Sequence, residues 1–274
     1  MVNHGGMKAG VLEKVRNSAY LQAFTNRRMA VMILLGFASG LPLPLTAGTL
    51  QAWLTVAGID IKTIGIFSLV GLPYTLKFLW SPFMDRFVPP WLGRRRGWII
   101  LTQFLLLLGI AAMPLTSPAS MPLVLAFIAL GVAFFSASQD IVIDAYRTDV
   151  LPEHERGIGV AVFIFGYRIA MLVGGALALI LSDRIGWQKT YLFMALFMIF
   201  GMLGAFVGRE PDHHIVPPRT MQEAVWGPLK DFFSRKAAVV IILFIILYKL
   251  GDAYAGALST AFLIRGVNFT PTDV

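Results

Sequence analysis

The stretch REPDHHIVPPRTMQEAVWGPLKDFFSRK, residues 209–236, is the clearest change of composition in the chain. It carries Pro211, Pro217 and Pro218 together with charges of both signs, which is typical of a connecting segment. Six apolar stretches precede it and one follows it. The pattern predicts a linker between a group of six helices and the next helix, with a short amphipathic helix near residues 220–233.

The composition around this linker excludes several classes of protein. The 274 residues are 57% hydrophobic and 14% charged, and the mean hydropathy is +0.73. An ordinary soluble domain has about 25% charged residues, so a cytosolic enzyme, a disordered tail and a nucleic-acid-binding domain are excluded. The chain has no cysteine, which also excludes disulfides and thiolate metal sites.

Seven apolar stretches are long enough to cross a bilayer, which requires roughly 20 mainly apolar residues. We predict membrane-spanning helices at residues 29–56, 63–84, 97–115, 121–144, 157–181, 190–207 and 238–264. The fold class is therefore an all-α membrane protein.

The order of these stretches predicts four parts. Residues 1–28 form a cytoplasmic segment in which 7–28 is either a short interfacial helix or a disordered basic leader. Residues 29–208 form a six-helix bundle, 209–237 a cytoplasmic linker, and 238–274 the first helix of an incomplete second bundle. Six spans, a linker and a further span are the layout of a 6+6 secondary transporter. We therefore expect a partial sequence, the alternative being a natural seven-helix protein.

The basic residues predict the orientation in the membrane. Of the 23 Lys and Arg residues, sixteen fall on the side of the N-terminus and the linker, and four on the other side. Because cytoplasmic loops carry the excess of Lys and Arg, the N-terminus is predicted to be cytoplasmic. The net charge of +8 then reflects topology.

The first two spans contain residues that interrupt a helix. Proline removes a backbone donor and kinks the helix, which membranes tolerate where the freed carbonyls face protein or a water-filled cavity. Small residues also allow close helix packing, and both explanations stay open. The residues concerned are Gly36, Gly40, Pro42, Pro44, Gly48 and Pro73.

Several charges lie inside predicted spans, where each costs at least about 2.5–3.5 kcal/mol on insertion scales. Arg168 is near the middle of the fifth span, and either binds an anionic group or forms a structural ion pair. Lys249 and Asp252 are three residues apart in the seventh span, so they either line a cavity or neutralise each other. Lys77 lies in the cytoplasmic half of the second span and is able to snorkel.

The fourth span ends in a charged face. Asp140, Asp144 and Arg147 follow at i, i+4 and i+7, which places them along one face of the helix, beside Gln139. Two carboxylates one turn apart repel each other when ionised, and this raises the pKa of at least one. We predict that Asp140 and Asp144 carry protons, the alternative being a solvated helix terminus.

Two loops resemble those of the major facilitator superfamily. Asp85-Arg86 followed by Gly93-Arg94-Arg95-Arg96 is similar to the signature between its second and third helices, with six extra residues at 87–92. The motif PEHERG at 152–157 is similar to the loop after its fourth helix.

Within that superfamily the chain resembles the AmpG-type muropeptide permeases over residues 30–274. The related acetyl-CoA permeases match less well. The similar runs are GFASGLP (36–42), TLQAWL (49–54), GLPYTLKF (71–78), SASQDIVIDAYRT (136–148), GYR (166–168) and LYKLGDA (247–253).

This resemblance implies proton-coupled import of anhydro-muropeptides across the bacterial inner membrane, linked to cell-wall recycling and β-lactamase induction. It implies no cofactor, no metal, no nucleic acid and no enzymatic activity, and a monomer that is functional when the second bundle is present. The gating loop would contain Asp85, Arg86, Gly93 and Arg94. The residues expected to line the substrate cavity are Tyr74, Lys77, Gln139, Arg147, Tyr167, Arg168, Lys249 and Asp252.

Three other functions compete with this one. A permease of the same superfamily could carry an acetyl-CoA-like or sugar substrate. A seven-helix retinal protein would need a lysine such as Lys249, but its N-terminus would lie outside. An intramembrane enzyme would need a nucleophile with a base or a metal cluster, and the sequence supplies neither within its spans.

Overall fold

The computed structural model describes residues 26–211, 218 and 220–265, with side chains through Gly251. The predicted interfacial segment 7–28 therefore lies almost entirely outside the described residues. The chain divides into two compact units at residues 217 and 218, and each is described by itself.

The first unit consists of twelve described α-helices joined by short turns. In chain order they are α1 Arg27–Gly40, α2 Pro42–Thr46, α3 Gly48–Val56, α4 Ile61–Phe67, α5 Leu72–Leu76, α6 Ser81–Arg86, α7 Arg94–Ala112, α8 Pro122–Val150, α9 Glu153–Leu172, α10 Ala178–Ile185, α11 Trp187–Leu196 and α12 Met198–Val207. Short 3₁₀ turns occupy Ser68–Gly71, Lys77–Leu79 and Met113–Leu115, and a π-turn occupies Val173–Leu177.

Five helical segments among the described residues are long and apolar enough to cross a membrane. They correspond to the predicted first, third, fourth, fifth and sixth spans, and the part of the chain that the structure describes contains no strand. The all-α class is thus confirmed. The five segments are Arg27–Val56, Arg94–Leu115, Pro122–Val150, Glu153–Ile185 and Trp187–Val207.

The predicted second span, 63–84, is not one continuous helix. It is a chain of short pieces, α4 to α6, separated by the 3₁₀ turns Ser68–Gly71 and Lys77–Leu79. Pro73 and Pro82 lie within the first two positions of α5 and α6, where a proline starts a helix but cannot continue the preceding one. Asp60 caps α4, and the hydrogen bonds from the Thr63 side chain and backbone lower the pKa of that carboxyl.

The first span is broken into α1, α2 and α3. Pro42 opens α2, and the Thr46 hydroxyl donates to the Pro42 carbonyl at 3.0 Å. The Thr49 hydroxyl donates to the carbonyl of Gly174 in the π-turn of the fifth span, at 2.7 Å. The interruptions of the two spans therefore face each other, and hydroxyl groups satisfy the carbonyls that they free.

The first and fifth spans meet backbone to backbone. A Cβ atom on Gly40 would clash with the Tyr167 carbonyl oxygen and lie 3.0 Å from the Tyr167 Cα atom. A Cβ atom on Gly166 would likewise clash with the Ile33 carbonyl oxygen. We call this contact the glycine seam. It brings α1 and α9 together, while α8 packs on α7 and α12 packs on both α1 and α7.

The second unit contains two helices, α13 Met221–Ser234 and α14 Ala238–Arg265. The hydroxyl of Thr220 accepts a hydrogen bond from the Glu223 N–H and so caps α13. The short helix predicted near residues 220–233 is therefore confirmed. Of the predicted seventh span, the residues Ala238–Gly251 form an apolar helical stretch.

Candidate functional site

Asp140 is enclosed between three spans. It projects from α8, and the Ser39 hydroxyl of α1 donates a hydrogen bond to its Oδ1 atom. The Lys77 Nζ atom, from the second span, lies 3.9 Å from its Oδ2 atom. The Asp140 side chain is 18% exposed, and Ser39 is 3% exposed. The structure therefore brings together Asp140 and Lys77, which were singled out separately in the sequence.

The breaks in the first two spans place these two partners. Ser39 lies in the last turn of α1, just before the chain leaves that helix at Leu41. Lys77 opens the 3₁₀ turn between α5 and α6. Both partners thus lie next to a break in a helix, where the direction of the chain changes.

Other buried polar side chains lie within a few residues of Lys77 and Asp140, on the same two spans. The side-chain amide of Gln139 is buried without a hydrogen bond to any described residue, and the Tyr74 hydroxyl lies beside Ser136 and Thr46. Buried polar groups are nearly always paired in a resting protein. Tyr74 and Gln139 were predicted to line the cavity, and the free donor and acceptor of Gln139 are consistent with a polar ligand site.

Asp144 occupies different surroundings from Asp140. Its side chain is 53% exposed, and Arg147 Nη2 donates to its Oδ1 atom at 3.0 Å. The Arg147 guanidinium also lies 4.7 Å from the ring centroid of Phe163. Asp144 is thus an exposed ion-pair partner of Arg147, whereas Asp140 is enclosed.

The fifth span presents Tyr167 and Arg168. Tyr167 is partly buried and interacts electrostatically with Asp140. Arg168 is exposed, and its closest polar contact among the described residues is the Met171 Sδ atom at 3.9 Å. No described carboxylate forms an ion pair with Arg168. The structural ion pair considered for this residue is therefore not formed with the described residues.

Lys249 lies on α14 in the second unit and is exposed there. The side chain of Asp252 lies outside the described ones, so the pairing considered for these two residues stays a prediction.

A second cluster of charges lies at the end of the bundle where the first span begins. Arg95 donates from Nη1 to Asp85 Oδ1 and from Nε to Asp149 Oδ2, each at 2.9 Å. Arg94 lies 4.0 Å from the same Asp149 carboxylate. Glu210 accepts from the backbone N–H groups of Arg95 and Arg96 at 2.9 and 3.0 Å, at the first turn of α7.

This cluster only partly matches the predicted gating loop. Asp85 and Arg94 belong to it, whereas the Arg86 guanidinium lies over the Phe87 ring at 5.4 Å. Gly93 has a φ of +84°, and a Cβ atom there would lie 2.5 Å from the Glu210 carboxyl carbon. Arg95 belongs to the motif but was not assigned to the gating loop, and Asp149 and Glu210 were not singled out.

Replacing Arg95 by alanine is expected to destabilise this end of the bundle. Removing one partner of a largely buried ion pair costs roughly 3–5 kcal/mol, and Arg94 compensates part of this loss at Asp149. Thermal unfolding of the detergent-solubilised protein should show a lower midpoint. Arg86→Ala is the control, because it removes only a cation–π contact worth about 0.5–1 kcal/mol. Equal midpoints for the two variants would contradict the central role of Arg95.

The described residues contain no group of three or more His, Cys, Asp or Glu side chains arranged to hold a metal ion.

The fold and this site define a class: a multi-pass α-helical membrane protein with an ion pair enclosed among its spans. The sequence profile of the Major Facilitator Superfamily matches residues 32–270. The chain belongs to this superfamily. Membership favours a transporter over the retinal-protein alternative.

Known relatives agree with the resemblance inferred from the motifs. An anhydromuropeptide permease of Escherichia coli (strain K12) is 54% identical over 259 residues, which cover 94% of this chain and 53% of the permease. An uncharacterized protein of Haemophilus influenzae is 43% identical over 265 residues, covering 94% of this chain and 61% of that protein. The chain thus spans about half to three fifths of the length of these relatives. The similarity to muropeptide permeases is confirmed.

A solved structure shows the same fold at low sequence similarity. The crystal structure of a POT family transporter in complex with a thioalcohol-conjugated peptide has a TM-score of 0.57 and 17% identity, over 87% of this chain and 50% of that chain.

Proposed function

We propose that this chain is the N-terminal part of a proton-coupled importer of anhydro-muropeptides that works by alternating access. The observation that carries the proposal is the enclosed pair of Asp140 and Lys77 at 3.9 Å, on spans that belong to the superfamily. A carboxylate paired with a cation inside a membrane bundle marks a proton or substrate path. The 54% identity to a permease of E. coli supports the substrate class.

The chemistry of the site suits such a substrate. Anhydro-muropeptides carry sugar hydroxyls and carboxylates, which call for hydrogen-bonding groups and cations in a wide cavity. We assign the substrate contacts to Tyr74, Lys77, Gln139, Arg147, Tyr167, Arg168, Lys249 and Asp252. Asp140 carries the proton, and Asp144 assists it from its exposed position beside Arg147.

The rest of the assignment follows from the relatives and the charge distribution. We propose that residues 29–208 form one bundle, that residues 209–237 cross the cytoplasmic side, and that 238–274 begin a second bundle. The protein lies in the inner membrane with its N-terminus in the cytoplasm and acts as a monomer in cell-wall recycling. We place the gate at the cluster that contains Asp85 and Arg94.

Uptake in energised membrane vesicles tests this proposal. The vesicles would contain a permease in which this chain is continued by the remaining five spans of the second bundle, and they would be given labelled GlcNAc-anhydroMurNAc-peptide. We expect uptake that requires an imposed proton gradient and is abolished by a protonophore. Uptake that ignores the gradient would contradict proton coupling. Stronger competition by acetyl-CoA or by a free hexose than by unlabelled muropeptide would favour the other permease substrates.

A further inference from the structure

The two oxygen atoms of the Asp140 carboxylate have different partners. Oδ1 accepts the hydrogen bond from the Ser39 hydroxyl, and Oδ2 faces the Lys77 ammonium at 3.9 Å. Ser39 belongs to the first span and Lys77 to the second, so the two contacts come from different spans.

The Ser39 contact is held rigidly. Ser39 is 3% exposed and directly precedes Gly40, which lies against the backbone of Tyr167 in the glycine seam. A donor on a helix that touches its neighbour backbone to backbone has little freedom to move away. Ser39 lies on the first span and Asp140 on the fourth, so Oδ1 keeps this hydrogen bond as long as those two spans stay together.

The Lys77 contact is loose by comparison. A charge-assisted hydrogen bond between an ammonium and a carboxylate is typically about 2.7–2.9 Å long. The distance from Lys77 Nζ to Asp140 Oδ2 is 3.9 Å, which is an ion pair without a direct hydrogen bond. The Lys77 side chain is 37% exposed and extends from a 3₁₀ turn. Its long flexible stem lets the ammonium turn away from Oδ2.

We propose that Ser39 is a positioning residue: its hydroxyl occupies Oδ1 of Asp140, so the transported proton binds to Oδ2. Because Lys77 faces Oδ2, protonation there releases Lys77 from the carboxylate. A proton from a hydronium ion adds to a lone pair of Oδ2, and a water molecule is left behind. The pair then changes from neutral to a single positive charge. The Lys77 ammonium, which has lost its counter-charge, becomes available to a carboxylate of the substrate.

This inference rests on the proposed proton-coupled function. The titratable groups that interact with Asp140 are Lys77 and Tyr74 from the second span, Tyr167 from the fifth, and Asp144 on its own helix. Among the described residues named here, Lys77 is the one that brings a positive charge to the carboxylate, so protonation of Asp140 weakens its hold on Lys77.

The pH profile of uptake in the same vesicles tests the positioning role. A hydrogen bond donated to a carboxylate favours its ionised form, so Ser39→Ala should make protonation easier. We expect the midpoint of the profile to move upward by roughly one pH unit, with KM little changed. Ser39→Cys keeps a weaker donor and should give a smaller shift in the same direction. Lys77→Gln should instead raise KM by about tenfold, because the substrate carboxylate loses one charge-assisted contact.

The matched control is Thr102→Val, which removes a buried hydroxyl bonded only to its own helix, at 2.8 Å from the Trp98 carbonyl oxygen. It should leave the pH profile unchanged. An unchanged midpoint in both Ser39 variants, while Asp140→Asn abolishes coupling, would overturn the positioning role alone. Proton-driven uptake that survives in Asp140→Asn would overturn the proposed function of the site itself.

Discussion

Replacing Asp140 by asparagine is expected to abolish proton-driven uptake, with a loss of at least about 100-fold in initial rate. The asparagine amide has nearly the shape of the carboxyl group but cannot take up a proton. It can still accept the hydrogen bond from Ser39, so the packing of the three spans is preserved. Uptake of labelled muropeptide into vesicles under an imposed proton gradient measures the effect. Exchange of labelled for unlabelled substrate without a gradient should persist.

Asp144→Asn is the matched control, because it makes the same chemical change one helical turn away. Asp144 is 53% exposed and paired with Arg147, and such pairs contribute at most about 1 kcal/mol. We therefore expect a loss of less than about tenfold. If Asp144→Asn abolished uptake and Asp140→Asn did not, the proton would have to be assigned to Asp144.

Replacing Gly40 by leucine is expected to prevent folded protein from accumulating in the membrane. A Cβ atom at this position meets the Tyr167 Cα atom at 3.0 Å, and the neighbouring atoms are backbone, which cannot rotate aside. Overpacking by single groups typically costs about 1–3 kcal/mol, and leucine adds four carbon atoms. Size-exclusion chromatography of the detergent extract should show loss of the monodisperse peak.

Alanine substitutions separate this clash from the general effect of losing a glycine. Gly40→Ala should lower the thermal midpoint. Gly131→Ala, in α8, should leave it unchanged or raise it, because nothing lies within 4 Å of the added Cβ atom. In a helix interior, alanine is favoured over glycine by roughly 1 kcal/mol. Stabilisation of both variants to the same extent would show that the glycine seam is looser than the structure indicates.

The sequence predicted the candidate site only as separate residues. Asp140 and Lys77 stood out because charges within apolar spans are costly, and this signal is local to each span. Their pairing was not predictable, since it depends on how far each helix is rotated about its axis. The face shared by Asp140 and Asp144 was predicted correctly as helix geometry. It did not reveal that one carboxyl would be enclosed and the other exposed.

The contacts of Ser39, Arg95, Asp149 and Glu210 were missed for a related reason. A serine in an apolar span resembles any small residue that aids packing, until the acceptor of its hydrogen bond is known. Arg95, Asp149 and Glu210 lie in stretches whose charges already had an explanation as membrane-flanking residues. Their roles depend on contacts between residues as far as 115 positions apart in the chain.

The polar stretch at 209–236 and the apolar stretches around it determined the class of fold and the order of the apolar segments. These properties follow from hydropathy and proline placement, which act over about 20 residues of one segment. Only the tertiary structure decided that the second span is a series of short helices, that the first and fifth spans meet at glycines, and that Asp140 lies between Ser39 and Lys77. Insertion into the bilayer stabilises apolar helices to a similar extent, so it does not determine which helices pack against each other. Close packing and the pairing of buried polar groups make that selection.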